Sequence, residues 1–276
     1  TTGASKKIYN FMISDKYISY DHAHYTETLL LLPSTYQPQD HRQSISGAPE
    51  LKNRKSQKLP ENSFVYVCFN RNDKYEPQMF NVWLRILTKV PHSVLWLYTV
   101  QKHSTLIQEN LLAYAQQKYQ IDPSRLIFAN TLPKDQHIAR HRLADLFLDT
   151  LYYNAHTSAT DALWAGLPLL TLSGQTFASR VAGSILTAAN LQDKLIAKDL
   201  KDYEEKAIYY ATHPNELEEI KLQLQDRESY KLFDMNYYIH HLEKAYHLAI
   251  EKVNKKDAAK VLEIEISNEY RSSSQY

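Results

Sequence analysis

The sequence predicts an α/β fold with a parallel sheet covered by helices on both faces. Three observations carry that expectation. From Ser63 onward, short apolar runs alternate with segments whose apolar residues recur at helical spacing. The runs Phe64–Phe69, Ser93–Tyr98, Leu126–Ala129 and Leu146–Asp149 are rich in apolar, β-branched and aromatic residues, as strands buried on both faces are. Helix-starting residues stand after these runs: Pro77 suits a first helical turn, and Thr157 or Ser158 suits an N-cap.

Residues 1–40 read as a short α/β stretch, with a strand at Ile8–Ile13 and a helix at Ala23–Leu32 that Pro33 stops. Residues 37–62 hold three prolines, many polar residues and no apolar period, so a connector is expected there, with 41–62 as the linker. The body then spans 63–255. After the first strand, Phe80, Trp83, Leu84 and Leu87 follow Pro77 at helical spacing. Further helices are expected near Thr105–Tyr119, Asp135–Leu143 and Ala159–Ala165, with a strand at Pro168–Leu172. Helices then dominate, near Ala178–Ala189, Lys201–Thr212, Asn215–Asp226 and Tyr237–Val253. Residues 256–276 are polar and end in Ser-Ser-Ser-Gln-Tyr, and a flexible tail is expected.

Composition removes several functions. Lys plus Arg is 32 against 31 Asp plus Glu, so no basic groove for nucleic acid or anionic membrane is indicated. Cys68 is alone, which excludes a disulfide framework and a cysteine metal site and suits a reducing compartment; a cytoplasmic location is expected. Apolar runs such as Leu29–Leu32 and Leu167–Leu172 fall far short of the roughly 20 residues of a membrane helix. Only five glycines occur, and none are spaced as a dinucleotide fingerprint or a Walker loop. Phosphate would have to be held by other means.

Ligands of parallel α/β sheets sit beyond the carboxyl ends of the strands. That rule selects loops 70–76, 99–103, 130–137 and 150–158. The first carries Arg71 and Lys74, two cations that suit a diphosphate or simply pair with Asp73 and Glu76 in solvent. The third places Lys134, His137 and Arg140 at a helix start, where they suit a base and ribose. His137 and His141 are spaced as a metal pair, but position 138 is Ile138 and no third ligand is visible, so no metal is expected. The fourth loop leads to His156, Thr157 and Ser158, a helix N-terminus suited either to an anion or to plain capping, with Asp161 one turn further in. Asp145 and Asp149 flank a short strand, and nothing else supports a glycosidase pair. His240, His241 and His247 on the last helix read as surface or interface side chains.

At these residues the chain resembles the O-GlcNAc transferases of glycosyltransferase family 41, SPINDLY-like members included. The segments FNRNDKYEPQMFNVWLRILTKVPHSVLWL (69–97) and PKDQHIARHRLADLFLDTLYYNAHTSATDALWAGLPLLTLSGQTFASRVAGSIL (133–186) look like the family's donor-binding part. TTGA with SDKY (14–17), LLPSTYQPQD (31–40), YEEKAIYYATHP (203–214) and LFDMNYYIHHLEKAYHLAIE (232–251) extend the likeness over nearly the whole chain. The resemblance implies a GT-B fold: a Rossmann-like donor domain, with residues 1–40 as the end of the N-terminal half. It implies inverting, metal-independent, cofactor-free transfer of a sugar, foremost GlcNAc from UDP-GlcNAc, to Ser or Thr of an acceptor protein or peptide. Relatives using GDP-fucose, or UDP-hexose with an Asn acceptor, are the alternatives within the family; a cell-envelope glycosyltransferase of the same fold is weaker still.

Carried over by position, Lys74 resembles the lysine that offsets the departing diphosphate. Leu132, Lys134, His137 and Arg140 resemble the base and ribose contacts, His156, Thr157 and Ser158 the diphosphate-binding helix start, and Asp161 the ribose carboxylate. Three departures stand out. Arg71 replaces the usual Gln or Asn, Ala155 and Ala159 replace glycines, and most of the N-terminal half is missing along with the tetratricopeptide repeats. The expectation is a fragment or reduced form that binds donor, working with a repeat-containing or N-terminal catalytic segment.

Overall fold

A computed structural model describes residues 8–40, 53–99, 104–255 and 259–266. Its main body is a six-stranded parallel sheet of β3 (Phe64–Cys68), β4 (Ser93–Tyr98), β5 (Leu126–Ala129), β6 (Leu146–Leu148), β7 (Leu169–Leu172) and β8 (Ile196–Ala197). The order β5-β4-β3-β6-β7-β8 reverses direction between β3 and β6. That is the doubly wound arrangement, and its switch point is where the crevice opens. Five of these strands match the runs read from sequence, since a strand buried on both faces needs an unbroken apolar stretch and little else.

Helices α1 (Pro77–Lys89), α2 (Ser104–Tyr119), α3 (Lys134–Arg140) and α4 (Thr157–Trp164) follow the first four of these strands. They are followed by α5 (Val181–Ala188), α6 (Gln192–Leu195), α7 (Leu200–Thr212), α8 (Pro214–Gln225) and α9 (Met235–Lys255). Pro77 opens α1 as expected, where its missing N–H costs nothing. Trp83 lies fully buried on that helix. Glu204 of α7 takes Arg85 and Lys89 of α1 at 2.7 and 2.8 Å and ties the two helices together. Gly166 ends α4 at φ +84°, with Leu167 N–H bonded back to Ala162 O, a left-handed cap that favours glycine.

Three expectations are corrected. The helix placed at Ala23–Leu32 is instead a short 3-10 turn, His22–His24, followed by β2 (Thr28–Leu32). Leucine favours helices, but here it lies between strands: β2 pairs in parallel with β1 (Phe11–Asp15) and with β9 (Val261–Glu263). Burial of all five residues outweighs a propensity of tenths of a kcal/mol per residue. The tail assigned to 256–276 is corrected by the same strand, because Val261–Glu263 is paired and Ile264 is buried beside Leu30, Leu32, Ala245 and Ala249. The rest of that tail, 256–258 and 267–276, lies outside the described residues, as do 41–52 of the linker and 100–103 of the second loop. His241, expected as a surface or interface side chain, is instead buried within the chain, its Nδ1 donating to Tyr237 O at 2.8 Å.

The three-stranded sheet is fastened to the main body by polar contacts. Asp15 accepts Ser184 Oγ of α5 at 2.7 Å, and the Tyr17 hydroxyl meets Ser173 Oγ at 2.7 Å. Arg180 donates to Tyr17 O and lies over the rings of Tyr17 and Tyr20 at 4.7 and 4.1 Å. Ile18 enters the main hydrophobic core, so the N-terminal stretch is packed rather than loosely tethered.

Candidate active site

The carboxyl ends of β3 and β6 carry two loops that face each other across the switch point. Asp149, at the end of β6, organises both. Its Oδ1 accepts Asn70 Nδ2 at 2.9 Å, Thr150 N–H at 2.8 Å and Ala155 N–H at 2.7 Å, and its Oδ2 accepts Thr171 Oγ1 at 2.7 Å. The residue is fully buried, which raises its pKa, while those donors act in the opposite direction. Sequence reading missed this role; the signal was a carboxylate closing an otherwise apolar buried strand. Asp145, at the other end of β6, serves elsewhere, in ion pairs with Arg54 and Lys221 at 2.7 and 3.3 Å.

Held this way, the β6–α4 loop turns the Asn154 carbonyl toward Lys74, whose ammonium donates to it at 3.0 Å. Lys74 ends a short 3-10 turn, Asn72–Lys74, in the β3–α1 loop. Burial lowers its pKa, and Asp149 opposes that shift. Glu76, on the same loop, accepts Leu151 N–H at 3.0 Å and so braces the two loops against each other. Ala155 and Ala159 are fully buried, so their methyl groups fit where glycines were the family expectation.

A cavity of about 610 Å³ opens at this junction. Lys74, Arg71, Tyr153, His156, Thr157 and Ser158 are among its walls. The first backbone bonds of α4 run from Ala159 and Thr160 N–H to His156 O, and no side chain caps the helix. The first-turn N–H groups of Thr157 and Ser158 thus belong to an uncapped N-terminus, where the helix dipole favours an anion. His156 packs against the Tyr153 ring, and burial pushes its pKa down to about 4, so it is neutral at pH 7. Arg71 is exposed and paired with Asp73 at 3.1 Å, as a solvated loop cation would be.

Of the remaining predicted residues, His137 and Arg140 pack against Phe69, which lines that cavity. Lys134 and Asp161 form an ion pair, with Asp161 buried on α4 and Lys134 at the start of α3. Leu132 is half-buried in the loop before α3. Arg140, expected beside a base and ribose, is completely buried. Its guanidinium lies 4.4 Å over the Phe69 ring, donates to Asn130 O at 2.5 Å and lies 2.6 Å from His137 Nδ1. A guanidinium can only donate, so His137 Nδ1 accepts and its Nε2 carries the proton. His141 Nδ1 donates to His137 O at 2.7 Å. Burial, then the neighbouring His141 ring and the Arg140 cation, pushes His137 down to about 2, and burial takes His141 to about 4. Among the described residues, no group of three or more His, Cys, Asp or Glu side chains is placed to hold a metal, and no helix is long and apolar enough to cross a membrane.

A doubly wound sheet with lysine and an uncapped helix start converging at the switch point is the donor-domain architecture of GT-B glycosyltransferases. Residues 46–242 match the sequence model of Glycosyl transferase family 41. The chain is 36% identical over 252 residues to the probable UDP-N-acetylglucosamine–peptide N-acetylglucosaminyltransferase SEC of Arabidopsis thaliana, covering 89% of this chain and 25% of that protein. It is 34% identical over 202 residues to the UDP-N-acetylglucosamine–peptide N-acetylglucosaminyltransferase of Caenorhabditis elegans, covering 73% and 17%. Among solved structures, a mutant O-GlcNAc transferase of Thermobaculum terrenum superposes with a TM-score of 0.79 at 24% identity, over 90% of this chain and 46% of that one. Sucrose-phosphate synthase of Thermosynechococcus elongatus gives 0.63 at 14% identity, over 89% and 60%. The protein belongs to glycosyltransferase family 41. It spans a quarter or less of the length of these two curated relatives.

Proposed function

We propose that this chain forms the donor side of a protein glycosyltransferase. It binds a UDP-sugar, foremost UDP-GlcNAc, and supports inverting, metal-independent transfer to Ser or Thr of an acceptor protein or peptide. The observation that carries the reading is the convergence of Lys74 and the α4 N-terminus on one cavity at the switch point. Charge grows on the diphosphate as the sugar leaves, and fixed positive groups placed there stabilise it more than the intact donor. Lys74 and the N–H groups of Thr157 and Ser158 supply that charge from the protein itself, which is why the reading needs no metal. The neutral His156 adds a ring nitrogen, and Arg71 stands at the rim. The Lys134–Asp161 pair faces the ribose in this reading, with His137 and Leu132 toward the base and Arg140 behind His137. The sugar and the peptide acceptor follow the names of the curated relatives, and the Ser or Thr acceptor follows the family resemblance.

Calorimetry with UDP, GDP and their sugars on the wild type and on Lys74→Ala tests the site. UDP binding is expected, weakened roughly 10- to 100-fold in the variant, as loss of a charge-assisted phosphate contact implies. Failure to bind any nucleotide would sink the assignment, and preference for GDP would redirect it to another donor. Incubation with UDP-GlcNAc and peptide separates transfer from donor binding alone.

A further inference from the structure

Lys74 has a second neighbour that neither the loop reading nor the family likeness assigned. Its ammonium lies 3.9 Å from the centroid of the Tyr153 ring, within the range of a cation–π contact. The same ring packs on His156, with centroids 4.7 Å apart and planes inclined by 20°. Tyr153 is not core: it is 38% exposed and lines the cavity. An exposed aromatic ring touching both the cation and the imidazole of one pocket calls for a reason.

We propose that Tyr153 is a positioning residue of this pocket, its ring fixing the Lys74 ammonium and the His156 imidazole at the cavity wall. The inference rests on the donor-binding reading of the cavity. A lysine carries three N–H donors on a flexible four-carbon stem and loses rotamer freedom when it is fixed. The Asn154 carbonyl takes one of those donors. The Tyr153 ring restrains the ammonium from a further direction without consuming a hydrogen bond, leaving donors for an anion. The loop that carries Tyr153 is itself fixed, because Thr150 Oγ1 donates to Tyr153 O at 2.6 Å and Asp149 accepts Ala155 N–H two residues later. The strand end thereby sets the ring, and the ring sets the lysine. Pre-setting the cation lowers the ordering cost when a diphosphate arrives. The contact depends on the ring face, so the hydroxyl is dispensable to it.

Two measurements test this. Protons above an aromatic face resonate upfield, so the ε-methylene signal of Lys74, assigned by its loss in Lys74→Met, is expected upfield in the wild type. It should stay there in Tyr153→Phe and return to the ordinary lysine position in Tyr153→Leu, with thermal melting confirming that each variant is folded. An unshifted wild-type signal overturns the proposal whether or not nucleotide binds. Calorimetry with UDP then reads the consequence. Tyr153→Leu should bind roughly two- to five-fold more weakly, the scale of an exposed cation–π contact, and Tyr153→Phe should restore affinity. In a Lys74→Met background, Tyr153→Leu should cost little more, because the pair acts as a unit. An equal loss in both backgrounds overturns the positioning role, whereas a wild type that binds no nucleotide overturns the donor reading and leaves the proton signal to decide the contact.

Discussion

The Asp149 carboxylate accepts the Ala155 N–H at 2.7 Å, so the end of β6 fixes the last turn of the loop before α4. Four donors converge on that buried group. Asp149→Ala leaves them unsatisfied, and Asp149→Asn turns an NH₂ group toward one of them. Either change is expected to cost about 2–4 kcal/mol of folding stability by denaturant titration, with UDP affinity falling as the loop relaxes. A loss below about 0.5 kcal/mol would mean that the network is not what holds the loop.

Arg140 acts on His137 from behind. Its donor at 2.6 Å keeps His137 Nδ1 unprotonated and leaves Nε2–H as the ring's donor. Arg140→Met should change the nitrogen chemical shifts of His137 toward a tautomer mixture and weaken UDP binding. Arg140→Lys should not restore either, since an ammonium lacks the planar fork that reaches both His137 and Asn130 O. Wild-type shifts in Arg140→Met would separate the two residues.

Acid should unfold the protein partly through its buried histidines. His141 is held down to about 4 and His137 to about 2, against an ordinary value near 6.5. Below pH 6.5 the unfolded chain binds protons that the folded chain does not, so stability is full above that pH and falls as pH drops through 6.5 toward 4. His141 alone is expected to account for about 3 kcal/mol across that window. In His141→Gln the dependence of unfolding free energy on pH should flatten between 6.5 and 4; an unchanged slope would locate the titration elsewhere.

Gly183 of α5 lets the first sheet come close. A methyl group there would stand 2.4 Å from a Tyr17 ring carbon and 2.5 Å from Ser173 Oγ. Tyr17 is held by Ser173 and by Arg180, so it cannot swing away without losing both. Gly183→Ala is expected to destabilise by about 1–3 kcal/mol, the range of overpacked sites. In a Tyr17→Ala background the same change should cost less, because the space is already open. Equal costs in the two backgrounds would place the strain outside this contact.

The parts legible from sequence were those that local patterning controls. Ser93–Tyr98 and Leu126–Ala129 were read to the residue because buried parallel strands are short unbroken apolar runs. Lys74, His156, Thr157 and Ser158 were legible as a group because the strand-end rule places their loops on one side of the sheet. What long-range pairing decides was not. Thr28–Leu32 reads as helix until its neighbours in β1 and β9 are known, and Val261–Glu263 reads as tail until β2 is. Arg140 looked like a ligand contact because charge is ordinarily exposed; only the rings of Phe69, Trp96 and Tyr98 around its guanidinium reveal a buried role. Asp149 carried a visible signal, a carboxylate at a strand end, but its partners come from three separate stretches of chain, at Asn70, Thr150–Ala155 and Thr171.

The pairing of β2 with β9 also sets a timetable. Thr28 donates to Ala259 O across 231 positions, whereas the six-stranded sheet is closed by residue 197. During synthesis the ribosome delivers every strand of the six-stranded sheet before the partner that β2 awaits. The leucine-rich segment Thr28–Leu32, wholly buried once paired, must therefore wait with one edge unmatched while the rest of the fold forms. Translation that stalls between those two points would present an apolar strand edge to chaperones, and would do so with the cavity at the switch point already built.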